Sequence, residues 1–548
     1  MSIWIKNAKI ATMDEENPLA ESAVVIGNYF AFVGSQYEVE KYLSDHPCPD
    51  MTMLDCNGEF LMPGFNDSHM HYLHYVKSKN SANLTGCKSV ENIISSMRKA
   101  FENSYDRESG LWLIGEGWNQ DYFTGEKRFP TASDLNTITT EYPILIMRSC
   151  FHIGILNDKA MKLFGISADK KDEYGSCVEY DANGMPNGIV KEDVLDEIKS
   201  FLPAPNAYQL LNSMIDAQSD LYKCGITSIQ SDDMKYMPAD SIYEMLYLLR
   251  EAAETGKLRL RIAEQSLLPK KSEIETFLYE KGIRSDFGNR TFKISCVKLL
   301  ADGSLGARTA YMRKPYNDCE STNGIAIYDQ ESLDDLVLEV HKNNVPVAIH
   351  AIGDGAIELC LNSFERARRE YPYVHPRHGI VHCQITDREQ LRRFKELDVQ
   401  AYVQPVFIDY DMHIVYDRVG KDLASTSYAW KTYIESGVHT SFGTDCPVEP
   451  FNPLRGIYCA VTRCDLKADG PYLPEQKVTR EQALYAYTAA GAYASGDEDI
   501  KGKIKAGMLA DFITLDNDLL ECSDEILLRS KVTRTYIDGK CVYKSNNQ

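Results

Sequence analysis

Histidine is scarce in this chain, with 12 among 548 residues, so the position of each one is informative. His69 and His71 follow the apolar run at 60–65, and side chains two apart on a strand point to the same face. Two imidazoles on one face suit Zn²⁺ or a similar ion. The pair alone is also compatible with two surface histidines that fall together by chance.

Four further polar residues occur at or near the ends of short apolar runs: Lys298, His350, His382 and Asp445. Taken one at a time, a strand-end histidine is more often a hydrogen-bonded structural residue, and a buried lysine usually extends to solvent or pairs with an acid. The repetition of the pattern at successive strand ends favours a cluster of metal ligands. The sequence therefore predicts a site for a divalent metal.

The elements that have to position these residues alternate between short apolar runs and longer helical stretches from about residue 225 onward. Counting 60–65 as the first, the runs are 60–65, 225–229, 259–265, 291–300, 346–350, 379–383, 399–404 and 439–442. Alternation predicts parallel βα units, and eight runs match a closed (β/α)₈ barrel, whose active sites lie at the C-terminal strand ends. An open doubly wound sheet stays compatible, because periodicity does not show closure.

Both ends of the chain are typical of short strands, with the hairpin turn Asp538-Gly539 close to the C-terminus. Neither end is long enough to bury a sheet face alone. We therefore predict one composite β-sandwich domain from residues 1–60 and 490–548. The barrel would occupy 61–489, with a long structured insertion at 77–220 that borders the active site.

Composition excludes several classes of protein. Acidic residues outnumber basic ones by 80 to 59, and the resulting net charge of −21 disfavours a nucleic-acid partner. No apolar run approaches the roughly 20 residues that span a membrane, and no secretory signal is recognisable. The 15 cysteines are scattered and suggest reduced thiols. We expect a cytoplasmic protein that acts on a small-molecule substrate, with a homodimer left open.

The motifs around these residues resemble those of the amidohydrolase superfamily, and within it the amidohydrolase 3, or YtcJ-like, family. The strings that carry the resemblance are LMPGFNDSH at 61–69, VKLLADGSLG at 297–306, HAIGD at 350–354 and GKIKAGMLADF at 502–512. Two motifs depart from the family pattern. HGIVHCQ at 378–384 replaces RIEHAQ, and TDCP at 444–447 replaces SDAP, but the ligands His382 and Asp445 survive both changes.

The resemblance implies a metal-dependent hydrolase that cleaves a non-peptide C–N bond, in an amide, N-substituted formamide or cyclic amide, by attack of a metal-bound hydroxide. The implied metal ligands are His69, His71, Lys298, His350, His382 and Asp445. The resemblance implies one or two divalent ions, with Zn²⁺ expected. Two ions would be bridged by a CO₂-derived carbamate on a desolvated Lys298. Asp445 would transfer the proton to the leaving nitrogen. A mononuclear centre with unmodified Lys298 is the alternative.

The resemblance also places substrate contacts at Trp118, Tyr122, His152, Asp302 and Arg308. Core packing competes with this interpretation for Trp118 and Tyr122, and a structural ion pair competes with it for Asp302 and Arg308.

Two other functions remain open at this point. A deaminase or other mononuclear hydrolase is disfavoured by Lys298, because one-metal deaminases need no bridging lysine. A non-catalytic binding or regulatory protein is expected to have lost a ligand, and none is missing.

Overall fold

Eight parallel strands carry the predicted site residues in this computed structural model, which describes residues 2–79, 81–103, 112–148, 152–202 and 205–546. In chain order, which is also their order in the sheet, they are Phe65–Met70, Ile226–Ser231, Arg261–Leu267, Phe292–Leu300, Val347–Ala351, Gly379–His382, Gln400–Val403 and Thr440–Phe442. Backbone hydrogen bonds just beyond the last strand reach the first, from Asp445 N–H to the His69 carbonyl at 2.8 Å and from His71 N–H to the Cys446 carbonyl at 2.7 Å. This nearly closed sheet confirms the predicted barrel fold.

The first barrel strand begins later than the sequence analysis expected. Phe60–Pro63 is a strand of a different sheet, in which it pairs with Phe512–Leu515 and Lys9–Ala11. The chain crosses between the two sheets at Gly64, where a Cβ atom would lie 2.3 Å from the Thr227 side chain. Only glycine fits so close an approach. The predicted run at 60–65 was wrong for this strand because an apolar run does not reveal a change of sheet.

Strands from both ends of the chain share one mixed sheet of six strands. Its order is Lys540–Lys544, Val532–Ile537, Phe512–Leu515, Phe60–Pro63, Lys9–Ala11 and Leu19–Ala20. A second sheet of four strands has the order Tyr29–Gly34, Ser22–Ile26, Ser2–Lys6 and Met51–Asp55. Ile5, Val25, Phe30 and Phe512 belong to one apolar core that both sheets supply. The two chain ends therefore bury together the apolar faces that neither could bury alone.

Leu73–Leu210 forms a compact unit of its own, which overlaps the insertion expected at 77–220. Its sheet has the order Val178–Tyr180, Pro186–Lys191, Ile153–Leu156, Ile144–Arg148, Leu113–Trp118 and Ser81–Asn83. Ile146 and Val190 lie in the two apolar clusters of this unit. The α-helices within it are Val90–Asn103, Ala132–Asn136, Asp158–Leu163, Lys171–Tyr174 and Glu192–Phe201, and Tyr72–Ser78 begins at its edge.

The remaining α-helices connect and follow the barrel strands or accompany the terminal sheets. They are Gln36–Asp45, Ala207–Lys223, Ile242–Glu254, Lys271–Glu275, Gln330–His341, Asp354–Glu370, Arg388–Glu396, Ile408–Asp411, Val415–Ala424, Trp430–Glu435, Pro453–Thr462, Arg480–Ala486, Ala489–Ala494 and Asp524–Arg529. Local sequence explains several starts, as where the Asp387 side chain accepts a hydrogen bond from the Gln390 N–H in a capping box. Across the part of the chain that the structure describes, no helix is long and apolar enough to cross a membrane. The expected cytoplasmic location stays a prediction.

Two buried histidines link the helix Gln330–His341 to the start of the sixth barrel strand. The Val347 N–H donates to His378 Nδ1 at 3.0 Å, and His378 Nε2 lies 2.7 Å from His341 Nδ1. His341 Nε2 then lies 3.3 Å from the Tyr371 carbonyl. This chain of bonds is satisfied when each neutral ring carries its proton on Nε2. A second proton on either ring would remove an acceptor that the chain requires.

We therefore expect acid to destabilise this part of the fold. Burial lowers the pKa of His378 well below its usual range, with His341 and Arg368 acting in the same direction. Burial also lowers the pKa of His341, against the Tyr371 carbonyl and with Arg368 and His375. Because the folded state favours the neutral rings, their stabilisation is present above the unfolded pKa of about 6.5 and is lost as the pH falls below it.

The corresponding measurement is the thermal midpoint between pH 7 and pH 5 for the wild type and for His341→Gln. Glutamine can replace both hydrogen bonds of His341 but does not titrate. The variant is expected to lose less stability over this range at equal metal concentration. An equal loss in the two proteins would show that titration of His341 is not the cause.

Candidate metal centre

The C-terminal ends of the barrel strands bring together the six residues predicted as metal ligands. His69 lies in the first strand, His71 directly after it, Lys298 in the fourth, His350 and His382 in the fifth and sixth, and Asp445 after the eighth. All except the partly exposed His350 are buried, and all lie in the same compact unit. Five different strands therefore supply the predicted set.

Three of these residues form a site that is ready for a metal ion. His71 Nε2 lies 3.1 Å and His69 Nε2 3.4 Å from Asp445 Oδ1. One ligand atom from each residue lies within 4.8 Å of those of the other two, the only such group among the described residues. Two imidazole nitrogens and one carboxylate oxygen suit Zn²⁺ and leave a coordination position open for substrate chemistry. The residues present therefore fit a divalent ion.

The other three predicted ligands lie next to this group. Lys298 Nζ is 3.3 Å from His69 Nε2. The His382 ring centroid lies 5.6 Å from that of His69 and 4.4 Å from that of His350. The structure thus places a lysine and two further imidazoles beside the His69–His71–Asp445 group.

Each histidine of the predicted ligand set is held by an acceptor on one of its two ring nitrogens. The contacts are His69 Nδ1 to Gln265 Oε1 at 2.7 Å, His71 Nδ1 to the Asp232 carbonyl at 3.1 Å, His382 Nδ1 to Gln404 Oε1 at 2.8 Å, and His350 Nε2 to the Gly303 carbonyl at 3.0 Å. A ring nitrogen that faces an acceptor carries the proton, so the other ring nitrogen keeps its lone pair for a metal ion. The sequence analysis did not identify Gln265 or Gln404, although both end apolar runs as the histidines do.

Burial controls the protonation of the centre. It lowers the pKa of Lys298 to about 8, against the opposing charges of Asp232 and Asp445. Burial also lowers the pKa of His382 to about 4 and that of His69 well below its usual range. These imidazoles are therefore neutral near pH 7, which is the form that binds metals.

For Asp445 and His71, contacts with neighbouring groups outweigh burial and decide the direction of the pKa shift. Burial tends to raise the pKa of Asp445, but His71, His382 and Lys298 together lower it below its usual range. Burial likewise tends to lower the pKa of His71, but the contact with Asp445 raises it. The Asp445 carboxylate is therefore ionised at neutral pH, as a metal ligand and a proton acceptor need to be.

The backbone at two of the predicted ligands has an unusual conformation. His382 has φ of 80° and Asp445 has φ of 59°, in the left-handed region that side chains other than glycine rarely adopt. Such residues cost about 1–3 kcal/mol each and persist where the surrounding structure requires them. Next to Asp445, Thr444 donates through both its N–H and its hydroxyl to the Asp67 carboxylate, which also accepts from the His69 N–H. Asp67, which the sequence analysis did not single out, therefore joins the two strand ends of the metal site.

Two of the predicted substrate contacts have other partners in the structure. Asp302 is buried, and its carboxylate accepts hydrogen bonds from the backbone N–H groups of Tyr311, Ile352 and Gly353 at 2.8–3.0 Å. It therefore holds the chain that follows His350. The expected alternative, an Asp302–Arg308 ion pair, was wrong, because Arg308 pairs with Asp318 at 2.8 Å.

The other three predicted contacts lie in the unit Leu73–Leu210. Trp118 is fully buried in the apolar core of this unit, where its ring lies 5.5 Å from that of Phe129. His152 is exposed and lies 3.1 Å from a Glu192 oxygen. Tyr122 ends the short 3₁₀ turn Gln120–Tyr122, and its side chain lies outside the described part of the structure. Substrate contact by Trp118, Tyr122 and His152 stays a prediction.

Comparison with known proteins identifies the family. The model of the Amidohydrolase family (Amidohydro_3) matches residues 52–543. This chain belongs to the amidohydrolase family. The family protein described here is 31% identical to YtcJ of Bacillus subtilis (strain 168), named as a candidate amidohydrolase, over the full length of both chains. It is 24% identical to the N-substituted formamide deformylase of Arthrobacter pascens, over 99% of this chain and 98% of the relative.

A solved structure extends the similarity to three dimensions. An uncharacterised metal-dependent hydrolase from Pyrococcus horikoshii OT3 superimposes with a TM-score of 0.76 at 28% identity, over 96% of this chain and 99% of the other. This amidohydrolase-family protein therefore shares the barrel of metal-dependent hydrolases and has a His-His-Asp metal site within it.

Proposed function

We propose that this protein hydrolyses a non-peptide C–N bond in an amide, an N-substituted formamide or a cyclic amide. The observation that carries the proposal is the convergence of the His69–His71–Asp445 group in a chain of the amidohydrolase family. The similarity to an N-substituted formamide deformylase over almost the whole chain supports the choice of bond.

The chain's own residues have separate roles in this reaction. A divalent ion, proposed to be Zn²⁺, supplies a Lewis acid for the carbonyl oxygen and lowers the pKa of water. The imidazole rings of His69 and His71 would hold that ion. Asp445, which is ionised at neutral pH, accepts the proton of the attacking water and transfers it to the nitrogen of the leaving amine. The reaction consumes one water and yields a carboxylic acid and an amine.

Lys298 has a further role within the same proposal. Its lowered pKa makes the neutral amine available near pH 8, and a neutral amine adds CO₂ to give a carbamate and one proton. That anion, with His350 and His382, would hold a second divalent ion. The contact of Lys298 Nζ with His69 Nε2 at 3.3 Å supports this placement.

The proposal is tested with a panel of N-formyl amines, N-acyl amines and cyclic amides. Each compound is incubated with Zn²⁺-loaded, Mn²⁺-loaded and metal-free protein, and the released amine is measured. We expect hydrolysis of at least one class by the metal-loaded protein and none by the metal-free protein. Equal rates after chelation, or no hydrolysis of any class by protein that holds its metal, would contradict the proposal.

A further inference from the structure

Two buried glutamines occupy equivalent positions behind two of the ligand histidines. Gln265 lies in the third barrel strand behind His69, and Gln404 directly follows the seventh strand behind His382. Neither glutamine is more than 3% exposed. The third and seventh strands supply no metal ligand themselves, so their ends support ligands that other strands carry.

The second hydrogen bond of each carboxamide fixes which way it faces. Gln265 Nε2 donates to the Ser68 carbonyl at 3.2 Å, so its Oε1 faces His69 Nδ1 at 2.7 Å. Because an amide oxygen only accepts hydrogen bonds, His69 Nδ1 has to carry the proton. The lone pair of His69 is then on Nε2, the atom that lies 3.4 Å from Asp445 Oδ1.

Gln404 repeats this arrangement on the other side of the barrel. Its Nε2 donates to the Tyr402 carbonyl at 3.3 Å, and its Oε1 lies 2.8 Å from His382 Nδ1. His382 therefore also carries its proton on Nδ1 and directs the lone pair of Nε2 away from Gln404. Two residues 139 positions apart in the chain thus impose the same tautomer on two ligand histidines.

We propose that Gln265 and Gln404 are positioning residues that set the tautomer, orientation and basicity of His69 and His382 as metal ligands. The inference rests on the proposed function only in that a divalent ion binds at these histidines. Metal-binding histidines commonly donate to a carboxylate, a carbonyl or water, and a carboxylate raises the basicity of the ring. A neutral carboxamide fixes the same tautomer but leaves the ring less basic. Gln265 and Gln404 therefore hold the two imidazole rings firmly in place but leave them weaker electron-pair donors to the metal. A metal ion with weaker donors is more electrophilic.

This arrangement predicts effects of opposite sign for two substitutions at the same position. Methionine matches the length of glutamine but removes the amide acceptor, so Gln265→Met and Gln404→Met are expected to weaken Zn²⁺ binding by about 10- to 100-fold. Gln265→Glu and Gln404→Glu retain an acceptor and make it anionic. They are expected to bind Zn²⁺ at least as tightly as the wild type and to lower kcat.

Matched controls come from buried glutamines in the same barrel. Gln230 in the second strand donates to the Gly491 carbonyl at 3.0 Å, and Gln400 in the seventh strand donates to the Arg377 carbonyl at 3.1 Å. Gln230→Met and Gln400→Met each remove a similar hydrogen bond without touching a ligand histidine. These variants are expected to lower thermal stability and to leave Zn²⁺ affinity within about threefold of the wild type.

The experiment measures Zn²⁺ dissociation constants of the full-length proteins by competition with a chromophoric chelator, together with the visible spectrum of the Co²⁺-substituted forms. Opposite effects of methionine and glutamate, with unchanged controls, would support the inference. Unchanged affinity in the methionine variants, or equal weakening by methionine and glutamate, would overturn it.

The same measurements distinguish a variant that fails to fold, a protein that binds no Zn²⁺ and a protein that binds Zn²⁺ without hydrolysing amides. If a methionine variant does not fold, the glutamate variant at that position decides by its direction alone, with weaker binding overturning the inference. A wild-type protein that binds no Zn²⁺ would overturn the inference together with the metal site of the proposed function. Zn²⁺ binding without amide hydrolysis would contradict only the proposed reaction.

Discussion

Asp445→Asn is expected to lower kcat/KM by about 10²- to 10⁴-fold, the usual range for loss of a general acid–base group. Asparagine keeps the size of the side chain and one oxygen near His71, but it cannot accept the proton of the attacking water. Zn²⁺ affinity is also expected to fall, because a neutral amide replaces the anionic ligand. The measurement combines steady-state kinetics on a substrate found with the amide panel and metal analysis of the purified variant.

Asp411→Asn is the matched control for this result. Asp411 is also buried, and its carboxylate accepts a hydrogen bond from the Tyr428 hydroxyl at 2.8 Å. It is not among the metal ligands, so this substitution is expected to leave metal content unchanged and to have a small effect on kcat/KM. An Asp445→Asn protein that retains its metal and full activity would exclude the proposed proton transfer.

Lys298→Ala is expected to remove most of the activity and to reduce the metal content from about two ions per chain to about one, because a two-metal site needs a bridging anion. Alanine cannot form a carbamate, so the ion proposed to bind between His350 and His382 loses that ligand. The ion at His69, His71 and Asp445 is expected to remain. Elemental analysis of wild type and variant, prepared with bicarbonate and excess Zn²⁺, gives the two stoichiometries.

Restoring the bridge distinguishes this explanation from simple loss of a buried side chain. Short carboxylic acids are expected to recover part of the activity of Lys298→Ala, because they supply an anion where the carbamate is missing. Lys298→Arg is expected to stay inactive, since guanidinium remains charged and does not react with CO₂. A wild type with about one ion per chain, no dependence on CO₂ and an unmodified Lys298 would decide for the mononuclear alternative.

The group of His69, His71 and Asp445 is the part of the site that the local sequence predicted. His69 and His71 are two positions apart on one strand, and Lys298, His350, His382 and Asp445 occur at or near later strand ends. Alternation of short apolar runs with helices predicted parallel strands, and parallel strands of a barrel bring their C-terminal ends to one mouth. Neighbouring positions in the sequence were sufficient for this prediction, because strand direction and side-chain period are local properties.

Contacts between distant parts of the chain were beyond such reasoning. The crossing at Gly64 depends on the Thr227 side chain, and the role of Asp302 depends on three backbone N–H groups that fold back over it. Gln265 meets His69 across 196 positions of sequence. These contacts depend on the order of the strands in the barrel and on the requirement that buried polar atoms form hydrogen bonds. Neither strand order nor the hydrogen bonding of buried polar atoms can be inferred from a local sequence pattern. The roles of Gly64, Asp302 and Gln265 therefore follow only from the tertiary structure.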